Sequence, residues 1–261
     1  MNASHISRLR QNHYRKGPDY RFGDDVSFGE VREQFGLLGV TVGRWVSREE
    51  QQIAANLIFD AMADLAFVLN VPPVLIGLRG QLRLAFGHGG NPTVQAHYAP
   101  ASRTLALAKN AGSGALAHEW IHGFDNHVAD KAFVNGGDTF QFASQRWIRN
   151  EVMKPHPLND ALAELFGSVF TPTTEAHGNF VKQALVLDKE LGRCYFSEPT
   201  ELFARAFEAV IQYQSEIKNQ YLVSGTQKSE MAKMGAYPTL AHLSEIKPTL
   251  LNYFALLGRL I

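Results

Sequence analysis

His118-Glu119-Trp120-Ile121-His122 is the stretch that decides how the rest of this chain is read. On an α-helix its two histidines fall four residues apart, on one face and one turn from each other. Both imidazoles then reach a single ion at zinc–nitrogen distances of roughly 2.0–2.1 Å, which strand geometry would not allow. Glu119 follows the first histidine and is placed to take a proton from a water that the ion activates. The spacing predicts a helix that carries a hydrolytic zinc site.

The flanking residues support that helix. Thr104 to Ala108 reads as a short buried strand, and Lys109 to Gly114 as a small-residue turn with Ser113 as helix cap. Leu116, Trp120, Ile121 and Phe124 recur at helical spacing and would bury the helix in a core. Histidines and a glutamate in such a place are costly unless something satisfies them, and a metal does. The competing reading is an amphipathic helix with solvated histidines. Asp125, three residues after His122, is expected either to orient His122 from behind or to ligate directly. His127 points away from the ligand face and reads as a surface or packing residue.

A zinc held by two histidines needs a third protein ligand and an open position. The candidate segment is Ser197-Glu198-Pro199-Thr200-Glu201-Leu202-Phe203-Ala204-Arg205-Ala206-Phe207-Glu208. Ser197 fits an N-cap and Pro199 a first turn. Leu202, Phe203, Ala206, Phe207 and Val210 form a core stripe, while Glu201, Arg205 and Glu208 line another. Glu201 and Glu208 are about 10 Å apart along a helix axis, so only one reaches the ion. Glu201 is favoured, with Glu208 and Asp125 as alternatives, and with Arg205 as its charge partner or an anchor for a substrate carboxylate. The plainer reading of this triplet is a solvent-facing ion-pair ladder. For the donor to a tetrahedral oxyanion, Tyr195 and His97 are chosen over Tyr98.

Elsewhere, Ser47-Arg48-Glu49-Glu50 is a capping box opening a helix through Leu69. Leu82 to Phe86, Val94 to Tyr98 and Thr104 to Ala108 read as a small antiparallel sheet leading into the motif helix. In a site of this type an edge strand aligns a peptide by strand addition. Helices are expected near 140–153, 158–170, 174–191, 198–217 and 248–260, with Asn159 and Pro248 as starts and 224–238 as a loop. The expected class is α+β, with a small antiparallel-containing sheet and a mainly helical C-terminal half. Residues 1–30 form a basic N-terminal arm and 31–261 one domain, divided into 31–128 (sheet and active-site helix) and 129–261 (third ligand).

Residues 35 to about 128 resemble the CLCA_X family of bacterial and phage proteins. That family is zincin-like and related to large polyvalent protein-associated domains. The resemblance lies in Phe35-Gly36, Gly39-Val40, Val42-Gly43-Arg44-Trp45-Val46 with Glu49-Glu50-Gln51, and Asp60-Ala61-Met62-Ala63-Asp64-Leu65-Ala66. It continues through Leu84-Ala85-Phe86-Gly87, Ala96-His97-Tyr98-Ala99-Pro100, the run from Gly112 to His122, and Asp125-Asn126. Ser197 to Glu208 looks like the family's second helix. The resemblance implies a minimal zincin fold whose second helix gives a glutamate ligand, and hence a zinc metallopeptidase of gluzincin-like type acting on a peptide or protein.

Composition narrows the alternatives. The 261 residues are 45% hydrophobic and 11% aromatic, with 25 basic and 25 acidic side chains. A net charge of zero supplies no global field for nucleic acid or anionic membrane. Arg8, Arg10, Arg15, Lys16 and Arg21 make only the start basic, which leaves nucleic acid as a lesser partner. Cys194 is the single cysteine, so no intramolecular disulfide forms, and it is expected to be a buried packing residue. No apolar run as long as a membrane span stands out, and a cytoplasmic location is expected. A zinc-containing binding module without catalysis is the alternative function.

Overall fold

Ser27 and Ser47 each head a helix in the same way. Their hydroxyls accept the amides of Glu30 and Glu50 at 3.2 and 3.3 Å, and those carboxylates accept the serine amides in return at 2.7 and 2.9 Å. The helices that follow are α1 (Phe28–Gln34) and α2 (Arg48–Leu69). The computed structural model describes residues 8–88, 96–109, 114–171 and 179–260. They build an α+β chain of two units.

The first unit takes Met1–Val68, Pro72–Trp120 and Gln214–Ser224. Besides α1 and α2 it holds a two-stranded ladder of β1 (Arg15–Lys16) and β6 (Lys218–Asn219), a short α3 (Pro73–Ile76) and a four-stranded sheet. The sheet strands are β2 (Gly39–Val42), β3 (Arg83–Phe86), β4 (Ala96–Ala99) and β5 (Thr104–Leu107), in the order β2-β3-β5-β4. β4 pairs antiparallel with β5, as expected, but β2–β3 and β3–β5 are parallel. The sheet is therefore mixed rather than antiparallel. Parallel neighbours need a long crossover, which α2 supplies between β2 and β3. Val94 and Ser113, the expected strand start and helix cap, lie outside the described residues.

The basic start of the chain lies along α2. Arg10 pairs with Glu49 at 2.9 Å, Arg15 grips Asp64 through two nitrogens at 2.8 Å each, and Arg21 grips Asp60 at 2.9 and 3.1 Å. Asp64 is fully buried and also accepts Asn219 Nδ2 at 2.8 Å, tying β6 to α2. Contrary to the sequence reading, α2 is long and apolar enough to cross a membrane by those two measures, with half of that window buried in the protein.

The second unit takes Leu69–Val71, Ile121–Tyr213 and Gly225–Ile261. Its helices are α4 (Leu116–Ala132, whose first turn belongs to the first unit), α5 (Ala143–Ile148), α6 (Pro157–Phe170), α7 (Asn179–Leu191), α8 (Pro199–Gln212), α9 (Glu230–Lys233) and α10 (Leu240–Gly258). Aromatic rings fill its interior: Phe124 meets Phe254 at 4.9 Å between centroids, and Phe166 meets Phe203 at 5.1 Å. Two helix starts differ from expectation. α6 begins at Pro157, capped by His156 Nδ1, while the Asn159 side chain donates Nδ2–H back to the Lys154 carbonyl at 2.9 Å. α10 begins after Thr239 and carries Pro248 inside it. Leu243, Ile246, Leu250, Tyr253 and Phe254 are buried along one stripe across that proline, so packing outweighs the lost backbone bond. α9 forms inside the segment read as a loop, capped by Ser229. Residues 174–178 of an expected helix lie outside the described residues.

Candidate metal centre

The first turn of α4 is fixed from outside the helix. Helix starts leave amides without intrahelical partners, and here the Ala117 amide donates to the Leu222 carbonyl at 3.0 Å. Trp120, fully buried, donates Nε1–H to the Ile76 carbonyl at 2.8 Å, which sets the helix rotation. Gly114 has φ +101°, and a Cβ there would come within 2.4 Å of the Ser224 amide nitrogen. With Leu116, Ala117, Trp120, Ile121 and Phe124 buried, His118, Glu119 and His122 are left half-buried on the other face.

α8 brings the partner. Leu202, Phe203, Ala206, Phe207 and Val210 are buried as their spacing predicted, which turns Glu201 and Arg205 the same way. Glu201 Oε1 lies 3.4 Å from His122 Nε2, with the side chains 13% and 11% exposed. Two ligands of a tetrahedral zinc, each about 2.05 Å from the ion, are about 3.35 Å apart. The observed spacing matches that edge and is long for a hydrogen bond. His118, one turn earlier on the same continuous helix, completes a trio whose ligand atoms all lie within 4.8 Å of one another. Among the described residues this is the group close enough together that it could hold a metal ion. Two imidazoles and one carboxylate are a zinc donor set with room for a fourth ligand.

Arg205 stands one turn along α8 and pairs in charge with the other oxygen of Glu201, Nη2 to Oε2 at 3.2 Å, though that buried oxygen accepts no hydrogen bond. Its guanidinium lies over Tyr195 at 4.9 Å and Phe196 at 4.5 Å. Tyr195 thus sits beside the trio through Arg205, with 37% of its surface exposed. Asp125 is buried, and its two oxygens accept the Ser144 amide at 2.8 Å and hydroxyl at 2.5 Å. Burial pushes its carboxyl up to about 6, against those two hydrogen bonds and the charge of nearby His122. Glu208 is buried on α8, two turns after Glu201, and is not part of the trio. His97 is exposed on β4. Ser197 does not cap α8 as predicted; Glu198 takes the N-cap position without a side-chain bond, because the Ser197 hydroxyl is turned to Asp188 at 2.5 Å. Cys194 is exposed rather than buried.

Residues 187–261 match the family model of large polyvalent protein-associated domain 1. The match begins near the end of α7 and takes in α8 with Glu201 and Arg205, then α9 and α10. It does not reach α4 and its histidines. No curated protein and no solved structure matches the chain.

Two residues of the matched segment carried no signal in the sequence. Asp188 accepts the amides of Tyr195, Phe196 and Ser197 at 2.9, 2.7 and 2.9 Å. Burial alone would raise its pKa, but these bonds and the Ser197 hydroxyl outweigh it and bring the carboxyl down to about 2. The Tyr237 phenol is pushed up, first by burial and then by the charge of Glu208, against Arg205, with Tyr195 and Glu201 adding to the rise.

Proposed function

We propose that this protein is a zinc-dependent metallopeptidase. The observation that carries the reading is the His122–Glu201 separation, a tetrahedral-ligand edge built by two helices far apart in sequence, with His118 alongside. His118, His122 and Glu201 would hold Zn²⁺, which supplies an acidified water and a Lewis acid for the scissile carbonyl. Glu119, half-buried on the ligand side of α4, accepts the water proton and returns it to the leaving amine. Tyr195 presents a phenolic donor for the developing oxyanion, with His97 as the second candidate. β4 is the outermost strand of its sheet, antiparallel to β5, and is the strand beside which an extended peptide would add. A lone cysteine fits a reducing, cytoplasmic setting.

The alternative is a zinc-containing binding module without catalysis, serving phage or mobile-element biology. Glu119→Gln separates the two. For an enzyme, zinc per chain stays near one while cleavage of unfolded casein is lost. Zinc bound at one per chain, with no cleavage by the wild-type chain, establishes the binding module. Absence of zinc after reconstitution refutes both, and His122→Ala and Glu201→Ala should each lower the zinc content.

A further inference from the structure

We propose that Asp188 is a positioning residue of the candidate metal centre, acting on Glu201 through the Tyr195–Phe196 clamp on Arg205. The inference rests on the zinc reading above. Asp188 stands in the last turn of α7 and is itself buried, at 7% exposure. A carboxylate accepting three consecutive amides and one hydroxyl fixes the backbone path of 195–197. That path presents two rings whose own geometry is T-shaped, 5.2 Å between centroids. Arg193 lies over the same two rings at 5.1 and 5.2 Å, so the loop carries a guanidinium from each of two sources. Arg205 is 6% exposed, its Nη1 is buried without a hydrogen bond, and its charge faces the two rings and Glu201 Oε2.

The consequence for Glu201 is directional. A carboxylate on a helix surface swings between rotamers and binds an ion through one oxygen or both. Here the Arg205 guanidinium faces Oε2 as an ion pair at 3.2 Å, without a hydrogen bond between them, while Oε1 faces His122 Nε2. A ligand so placed binds through one oxygen and loses little side-chain entropy on coordination. Asp188 touches neither the ion position nor Glu201, so its influence passes through Arg205.

The test uses the full chain, titrated with Zn²⁺ against a chromophoric chelator well below the unfolding transition. Asp188→Asn keeps the side-chain shape but replaces one acceptor with a donor facing amides. It should weaken zinc binding on the order of tenfold, the loss typical of outer partners of a metal ligand. The Co²⁺-loaded variant should show a weaker tetrahedral visible band, because Glu201 is no longer held to one oxygen. Arg205→Gln should weaken binding at least as much. The double variant should bind no more weakly than Arg205→Gln alone, since both changes break one chain of contacts. Additive losses, or an Asp188→Asn affinity and Co²⁺ spectrum equal to wild type, would overturn the proposal while leaving the zinc reading intact. A wild-type chain that binds no zinc removes both. If Asp188→Asn does not fold, Phe196→Leu takes its place, removing one ring of the clamp but keeping the tether, with the same outcomes.

Discussion

Glu201→Gln separates the two things Glu201 does. In the metal-free protein the carboxylate compensates Arg205, a guanidinium only 6% exposed, across 3.2 Å. Removing one member of a buried pair costs about 3–5 kcal/mol, and glutamine keeps one acceptor, so a loss of about 2 kcal/mol is expected. For a chain of this size that lowers the melting temperature by roughly 4–8 °C. Zinc acts separately, by mass action on the folded state. At a free zinc concentration one hundred times the wild-type Kd, binding stabilises by about 2.7 kcal/mol. If the lost ligand weakens binding about a hundredfold, the same concentration equals the variant's Kd, and the increment shrinks to about 0.4 kcal/mol. Thermal melts followed by circular dichroism, with chelator and with buffered zinc, read both numbers. A variant that melts lower without metal but keeps the full zinc increment would refute Glu201 as a ligand. A variant with unchanged metal-free stability would instead refute the buried Arg205 pairing.

Three further outcomes follow from single contacts. Trp120→Phe leaves the Ile76 carbonyl without its buried donor, so urea unfolding should show a loss of about 1–3 kcal/mol. Gly114→Ala meets both a left-handed φ of +101° and the Ser224 amide; a loss of about 1–3 kcal/mol in thermal melts is expected, and wild-type stability would contradict the close approach. Asp188, whose folded pKa lies at about 2, contributes stability that is complete above its ordinary value near 3.9 and lost as pH falls toward 2. Acid titration should show that limb in the wild type, and Asp188→Asn should flatten it.

What the sequence disclosed was whatever obeys local periodicity. The histidine pair, Glu201 and the buried stripe of α8 repeat at helical spacing, and the α2 capping box is a four-residue pattern. These signals survive without knowledge of the fold because each needs only its own helix. The parallel pairing of β2 was not legible, since its partner β3 lies a whole helix away and a four-residue strand has little pattern of its own. Pro248 misled because the rule against proline in helices is local, whereas Leu243, Ile246 and Leu250 keep α10 whole through packing. Ser197 had the right residue type for a cap but was claimed by Asp188. Asp188 itself had no motif, because its partners are backbone amides, which any sequence possesses.

The pairing of β1 with β6 sets Arg15 opposite Asn219, and it bears on how the chain comes into being. A ribosome delivers residues in order, at about 5–20 per second. When Trp120 has emerged, the segment Gln214–Ser224 of the first unit is still unmade, with 93 residues between them. At that speed the nascent first unit waits about 5–20 seconds for the strand that Asn219 belongs to. During the wait Asp64 has Arg15 but not Asn219, and the Leu222 carbonyl that anchors the first turn of α4 does not yet exist. The first turn of α4, with His118, is thus among the last parts of the first unit to be secured, after α8 and its glutamate have been translated.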